Sequence, residues 1–229
     1  MALTRKRLGS KDSPIKFSTK LARVEKTPVS LSPKSPFHHH EDYVQILVVG
    51  HQQCGKSCLV LAFQNEVFPP VTHFLSKQYL ADIELNGKTK KSMIWDLDAS
   101  PQYLDARKEA YEEADVILLC FSIDGNVSLT QKTEVWIQEI RNYCPQTPVI
   151  LVGLKNELRH RREQSGLITK EEANRLRETQ SFVNYMEASA VIKDGVNEIF
   201  TAAVRVAIQN GLRSKVMWAN RGFKIDFYA

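Results

Sequence analysis

From Tyr43 onward, the pattern of apolar and polar positions predicts strands that alternate with helices. Three stretches are continuous apolar runs: Val44–Val49, Val116–Phe121 and Val149–Val152. Uninterrupted runs of this length are typical of parallel strands that are buried on both faces of a sheet. We therefore expect a mostly parallel sheet in the interior of the protein.

A second pattern, alternation between apolar and polar residues, occupies Tyr79–Leu85. It is followed by Asn86-Gly87, a strong hairpin-turn signal, and the chain then returns as a second strand over Thr89–Trp95. Alternation indicates strands that are covered on one side. The sequence thus predicts one antiparallel hairpin at the edge of the sheet.

Helical periodicity separates and follows these strands. Leu129–Tyr143 suits a helix, and another helix begins near Lys170. A closing helix is predicted from apolar residues at i, i+3 and i+4 spacing, with Gly211 as its stop; these residues are Val196, Ile199, Phe200, Ala203 and Ala207. The elements predict one three-layer α/β domain over residues 43–211, with helices on both faces of the sheet. Residues 1–42 and 212–229 are predicted to be tails.

The composition is that of an ordinary soluble globular protein. The 229 residues are 43% hydrophobic and 25% charged. No apolar stretch approaches the roughly 20 residues that cross a bilayer. The four cysteines, Cys54, Cys58, Cys120 and Cys144, show no paired metal-site spacing, so a reducing compartment is favoured.

The net charge of +5 belongs to the N-terminal tail, residues 1–42, since the remainder of the chain is balanced. This tail lacks apolar periodicity and is rich in Lys, Ser, Thr and Pro, so we expect it to be disordered. Four of its hydroxyl residues precede proline and are candidate phosphorylation sites, where phosphate would reverse the local charge; they are Ser13, Thr27, Ser32 and Ser35. A solvated leader without regulation is an equal alternative. The tail has no aromatic platform beside its charges, so nucleic-acid binding is not expected.

A phosphate-binding pattern follows the first predicted strand. Residues 50–59 read GHQQCGKSCL, and the spacing Gly50-x4-Gly55-Lys56-Ser57 is that of a Walker A loop. In such a loop, backbone N–H groups and a helix N-terminus hold the β-phosphate, and Lys56 neutralises the β and γ groups. The Ser57 hydroxyl is placed to ligate Mg²⁺. The sequence therefore predicts a nucleoside triphosphate site.

The rest of the chain resembles the Ras superfamily, and most closely the Rho family of small GTPases. The matching stretches are GKSCLV (55–60), FPPV (68–71), YLADIELNGK (79–88), WD (95–96), DVILLCFSID (115–124), PVILVG (148–153), EASA (187–190) and KDGVNEIF (193–200). The resemblance implies a P-loop small-GTPase fold that binds GTP and GDP with Mg²⁺. It also implies partners of the Rho type, namely effector and regulatory proteins, and a role in signalling to the cytoskeleton.

The resemblance assigns nucleotide contacts residue by residue. The predicted nucleotide-binding positions are Gly50, Gln53, Cys54, Gly55, Lys56, Ser57, Cys58, Asp96, Ala99, Lys155, Glu157, Ser189 and Ala190. Of these, Ser57 would ligate Mg²⁺ directly and Asp96 would do so through a water molecule.

No catalytic residue of the family is intact. Gln52 stands where the family has a small glycine, in the space used by the attacking water and by a partner's arginine. Ser100 replaces the glutamine that orients this water and is too short for the task, and Asp98 would add a repulsive carboxylate near the γ-phosphate. Even intact Ras hydrolyses GTP at only about 10⁻⁴ per second unaided, and a partner's arginine adds roughly 10⁵-fold. We therefore expect weak or absent hydrolysis.

The base-reading loop departs from the family as well. The family's Asn-Lys-x-Asp appears as Leu154-Lys155-Asn156-Glu157. Lys155 still offers its stem to the guanine plane, whereas Leu154 cannot make the asparagine's hydrogen bonds. Glu157 carries the required carboxylate one methylene too far out. Guanine preference is expected to be weakened but not abolished.

In the first switch, the family's Mg²⁺-binding threonine falls on Phe74 or Leu75, depending on the direction of counting. Neither side chain ligates a metal. Thr72 or Ser76 would substitute if the loop shifts.

Three functions remain open at this point. The leading hypothesis is an atypical Rho-like GTP-binding protein that signals through effectors with little hydrolysis. The alternatives are a scaffold that works without nucleotide and, less favoured, a conventional cycling GTPase. No cysteine follows Cys144, so no C-terminal prenyl anchor is expected. The basic and aromatic residues of 212–229 would touch an anionic membrane weakly or pack back on the domain, and we expect a cytoplasmic protein with transient membrane contact.

Overall fold

The computed structural model of the chain describes residues 43–65, 77–125, 127–160 and 166–220, with side chains described as far as residue 211. The predicted N-terminal tail and the first-switch candidates Thr72, Phe74, Leu75 and Ser76 lie outside these ranges. The predictions for them therefore remain predictions.

Within the described ranges, the core is a six-stranded sheet. Its strands are β1 (Val44–Gly50), β2 (Lys77–Leu85), β3 (Lys88–Asp96), β4 (Val116–Ser122), β5 (Val149–Leu154) and β6 (Asn184–Ala188), in the order β2-β3-β1-β4-β5-β6. Only β2 is antiparallel to its neighbour. The predicted parallel runs and the edge hairpin are confirmed. The short strand β6 was not predicted, because its five residues mix polar and apolar side chains at a half-exposed edge.

Five α-helices lie in the described part of the chain: α1 (Lys56–Phe63), α2 (Leu104–Glu113), α3 (Leu129–Tyr143), α4 (Lys170–Thr179) and α5 (Val196–Asn220). Helix α3 matches its predicted bounds and begins with a capping box between Ser128 and Gln131. The predicted stop of α5 at Gly211 is wrong, because the helix continues to Asn220. Gly211 does not adopt the left-handed conformation of a terminating glycine. A glycine inside a helix costs only about 1 kcal/mol, and good helix formers follow it.

The helices cover both faces of the sheet and make two apolar layers. Helices α1 and α5 pack on one face, where the rings of Phe63 and Phe200 stack with their centroids 4.2 Å apart. Helices α2, α3 and α4 pack on the other face around Tyr111 and Trp136. The predicted three-layer α/β fold is confirmed. None of the described helices combines the length and apolar character that a membrane span requires.

This topology determines where a site can form. The parallel strands β1, β3, β4 and β5 all end at the same edge of the sheet. The loops that follow them therefore meet there, which is where open α/β sheets bind their ligands. These loops contain the phosphate loop, Asp96 to Ser100, Asp124 and the base-reading loop.

Candidate nucleotide-binding site

The phosphate loop turns at positions that demand an unusual backbone. At Gly50, where φ is +146°, a Cβ atom would lie 2.1 Å from the carbonyl oxygen of Cys120 in β4, so only glycine fits. Gln53 and Gly55 have φ values of +60° and +108°. These turns lead residues 51–55 directly into the N-terminus of α1. The result is a concave backbone segment of the kind that receives phosphate.

Lys56 and Asp96 supply the buried charges at this loop. The Lys56 side chain is buried, and its Nζ donates to the carbonyl oxygen of His51 at 3.3 Å. Asp96 is also buried and accepts a hydrogen bond from Ser57. Burial raises the pKa of the Asp96 carboxyl, although this hydrogen bond and the Lys56 charge oppose the rise.

A hydroxyl and a carboxylate at the loop suit Mg²⁺, which is usually held by one or two protein oxygens together with phosphates and waters. In the described part of the chain, no group of three or more His, Cys, Asp or Glu side chains forms an all-protein metal cage. The Ser57 hydroxyl and the Asp96 carboxylate fit a triphosphate with Mg²⁺. Ser57 and Asp96 are the side chains that would hold the ion, and the ion would neutralise phosphate charge there.

The two positions expected to disable hydrolysis are in direct contact. Nε2 of Gln52 donates to Oγ of Ser100 at 2.9 Å, joining the phosphate loop to the segment after β3. The backbone N–H of Ser100 donates to Oδ1 of Asp98 at 2.7 Å. Asp98 was predicted only as a source of repulsion, whereas this hydrogen bond shows that one of its oxygens stabilises the turn.

Arg107, on α2, anchors the same segment and was missed by the sequence analysis. Its buried guanidinium donates to the carbonyl oxygens of Asp98 and Ser100 at 3.0 and 2.9 Å. It also forms a two-bond pair with Glu139 on α3, at 3.0 and 2.9 Å. The sequence did offer a signal for it. Arg107 precedes Tyr111 by four residues, so its positive charge lies on the same covered face of α2 as the Tyr111 ring.

The base-reading loop is joined to the phosphate loop through apolar atoms. Leu154 is only 2% exposed, and its Cδ1 lies 3.5 Å from the position that a Cβ on Gly55 would occupy. The family's polar tether is thus replaced by a packing contact. Asn156, which the sequence analysis left without a role, donates to Oδ2 of Asp194 at 2.6 Å.

Two groups in the loop fit a purine base. Lys155 has a left-handed backbone (φ +66°) and a partly exposed side chain. Oε2 of Glu157 is buried and has no hydrogen-bond partner among the described residues. An unpartnered buried acceptor is costly, and guanine offers the N1–H and amino donors it lacks. Leu154 does not fit, since it offers the base loop no hydrogen bond.

The remaining predicted contacts divide into buried and exposed positions. Ser189 is fully buried, and its Oγ accepts from the backbone N–H of Ile192 at 3.2 Å, while Ala190 packs against the core. Ala99 packs against the apolar layer on the other face of the sheet, beneath helices α2, α3 and α4. Cys54 is buried beneath the phosphate loop, whereas Cys58 is exposed on α1. Burial raises the pKa of the Cys54 thiol, so this thiol is protonated at neutral pH.

One comparison with known proteins identifies the lineage. The model of the Ras family matches residues 45–209. The chain belongs to the Ras family. The match includes every predicted nucleotide contact from Gly50 to Ala190. As a Ras-family protein, the chain is a small GTP-binding protein; the family binds GTP and GDP, generally with Mg²⁺, and its members interact with effectors and regulators.

Proposed function

We propose that this chain is an atypical, Rho-like member of the Ras family that binds guanine nucleotide, signals through effector proteins and hydrolyses GTP weakly or not at all. The observation that carries this proposal is the 2.9 Å hydrogen bond between Gln52 and Ser100. By resemblance, the attacking water and a partner's arginine work between these two positions. Here the two side chains bind each other across that space.

The known rates of GTP hydrolysis, with and without a partner's arginine, favour a switch that hydrolysis does not reset. A Ras protein with its water-orienting glutamine turns over at about 10⁻⁴ per second, and the arginine of a partner contributes roughly 10⁵-fold. That contribution corresponds to about 7 kcal/mol of barrier. Ser100 lacks the reach to orient water, and Gln52 occupies the arginine's approach. Both sources of acceleration are therefore impaired together.

Retained nucleotide binding is supported by the phosphate side of the site. Its glycine geometry, the buried Lys56 and the Ser57–Asp96 pair suit phosphates and Mg²⁺. Glu157 supplies an unpartnered acceptor of the type that guanine requires.

Single-turnover hydrolysis of prebound GTP tests the proposal. The wild-type chain is expected to hydrolyse more slowly than about 10⁻⁵ per second. The double variant Gln52→Gly with Ser100→Gln should recover at least about tenfold in rate, toward that of Ras. Ser100→Gln alone is the matched control and should stay slow, because Gln52 still fills the space. A wild-type rate at or above about 10⁻⁴ per second contradicts the proposal and indicates a conventional cycling GTPase.

A second candidate, a scaffold that needs no nucleotide, is favoured by one observation. Leu154 fills the junction between the base-reading and phosphate loops with apolar atoms and offers no hydrogen bond to a base there. Titration with a fluorescent guanine nucleotide in Mg²⁺ distinguishes the two. Absence of binding at tens of micromolar would support the scaffold.

We further propose a domain that begins at residue 43 and continues past 211 with helix α5, partners that are effectors and regulators of the Rho type, and a cytoplasmic location with transient membrane contact. The membrane contact is supported by the basic and aromatic residues after position 211, and the cytoplasmic location by the four cysteines without metal-site spacing. A membrane-flotation comparison of the full chain with a chain lacking 212–229 tests the contact. Equal flotation would remove this role from the segment.

A further inference from the structure

Beside the base-reading loop, one carboxylate bridges two lysines. Asp124 follows β4, Lys132 lies on α3 and Lys155 is in the base-reading loop. Oδ1 of Asp124 is 2.5 Å from Nζ of Lys132, and Oδ2 is 3.3 Å from Nζ of Lys155. The two oxygens thus have separate partners.

The half of this cluster around Lys132 is buried and held by several hydrogen bonds. The Lys132 side chain is 10% exposed. Its Nζ also donates to the carbonyl oxygens of Ser122 and Asp124, at 2.9 and 2.5 Å. Oγ of Ser122 donates to Oδ1 of Asp124 at 3.0 Å. These contacts leave the carboxylate little freedom to rotate.

The backbone around Asp124 is fixed as well. The N–H of Ile123 donates to the carbonyl oxygen of Leu154 at 3.0 Å, and the N–H of Ile168 donates to the carbonyl oxygen of Ile123 at 2.9 Å. Burial raises the pKa of Asp124, but the hydrogen bonds from Lys132 and Ser122 more than offset this, so the pKa lies below its ordinary value. The carboxylate is therefore charged at neutral pH and is presented to Lys155 from a rigid support.

We propose that Asp124 is a positioning residue for nucleotide binding: held by Lys132 and Ser122, it fixes the ammonium of Lys155 and so orders the lysine stem that lies along the base. This inference rests on the proposed guanine-nucleotide binding. It gives the loop a polar anchor in place of the one that Leu154 cannot supply. Ordering a flexible side chain before the ligand arrives lowers the entropy lost on binding, which slows release.

The substitution Asp124→Asn separates the two tasks of this side chain. The amide oxygen still accepts from Lys132, so the buried ammonium keeps a partner. The amide nitrogen, which only donates, cannot bind the ammonium of Lys155. Asp105→Asn is the matched control, because Asp105 is an exposed carboxylate that forms an ion pair with Lys108 at 2.8 Å on α2.

The experiment measures release of a fluorescent GDP analogue from the full chain in Mg²⁺. Asp124→Asn should release it about fivefold faster than wild type, as expected for a partly exposed ion pair, and Asp105→Asn should leave the rate unchanged. In a Lys155→Met background, the second substitution Asp124→Asn should add nothing. A general loosening of the fold would instead accelerate release equally in both backgrounds.

Each outcome bears on the inference. An unchanged rate for Asp124→Asn, or an equal acceleration in the Lys155→Met background, overturns it and leaves the proposed function standing. Absence of analogue binding by wild type at tens of micromolar overturns the proposed function and the inference together.

Discussion

The phosphate loop and the base-reading loop lie at the same edge of the sheet, yet they have changed in different ways. The phosphate loop keeps the backbone geometry of Gly50 and Gly55 and places Gln52 within it. In the base-reading loop, Leu154 lies in the core and the partly exposed Lys155 is paired with Asp124. Phosphate is held mainly by the backbone, which tolerates new side chains, whereas base reading depends on individual side chains. The proposed function therefore combines reduced catalysis and selectivity with retained phosphate binding.

The largest expected effect comes from breaking the contact between the two loops. Leu154→Ala should lower the free energy of unfolding by about 3 kcal/mol, because it leaves a cavity at a nearly fully buried position. Chemical denaturation measures this. Leu158→Ala, at a half-buried position, is the control and should cost about 1 kcal/mol. Equal losses for the two variants would show that Leu154 is not a special junction.

Removing the charge of the phosphate loop should affect binding more than folding. Lys56→Met is expected to weaken the binding of both GTP and GDP about 100-fold, or by about 2.7 kcal/mol, because the charge-assisted hydrogen bonds to phosphate are lost. Titration with fluorescent nucleotides measures the change. Lys108→Met, on the exposed part of α2, should have no effect. A Lys56→Met protein with wild-type affinity would place the phosphates elsewhere.

Beyond Glu157, the base-reading segment is fastened to β6 by an ion pair. Arg159 donates to Glu187 at 2.8 and 2.5 Å, and Tyr185 donates to the same carboxylate. Burial raises the pKa of Glu187, but the hydrogen bonds from Arg159 and Tyr185 more than offset this, so it lies below the ordinary 4.5.

Glu187→Gln should therefore cost about 1 kcal/mol of stability at neutral pH. Because the folded-state pKa is lowered, the contribution is complete above about pH 4.5 and is lost as the pH falls through the folded-state pKa. The free energies of unfolding of the wild type and the variant should become equal at acidic pH. A difference that does not change with pH would rule out the charged pair as its source.

The smallest expected effect is a gain in guanine affinity on substitution of Glu157. Glu157→Asp brings the carboxylate to the length that the family uses and should raise guanine affinity about threefold, or about 0.7 kcal/mol. Glu157→Gln, which removes the negative charge and replaces one of the two acceptor oxygens with a donor, should lower this affinity. Competition between GDP and ADP for the site measures the preference. An affinity that is indifferent to both changes would mean that Glu157 does not contact the base.

Much of the fold followed from the sequence, since buried parallel strands and the Asn86-Gly87 turn give strong local signals. Strand β6 did not, because its pairing with β5 is a tertiary contact rather than a local pattern. The error at Gly211 arose because glycine ends a helix only where its backbone turns left-handed, which sequence alone does not show. Family membership is confirmed at the level of Ras, and the Rho assignment remains a prediction.

The sequence predicted positions for the candidate site, and the structure adds contacts between them that the sequence did not predict. The Walker A spacing indicated Gly50, Lys56 and Ser57, because a phosphate-binding loop is formed by residues that are close together in the sequence. The bond from Gln52 to Ser100 and the anchoring by Arg107 join segments far apart in the chain. Asp124 was not predicted as a site residue, since only the fold brings it close to Lys132 and Lys155.

The most direct test of the central claim is the nucleotide carried by the native protein. The chain would be purified without denaturation, extracted and run on an anion-exchange column. Binding without effective hydrolysis predicts GTP as the main nucleotide. GDP as the main nucleotide would contradict the account.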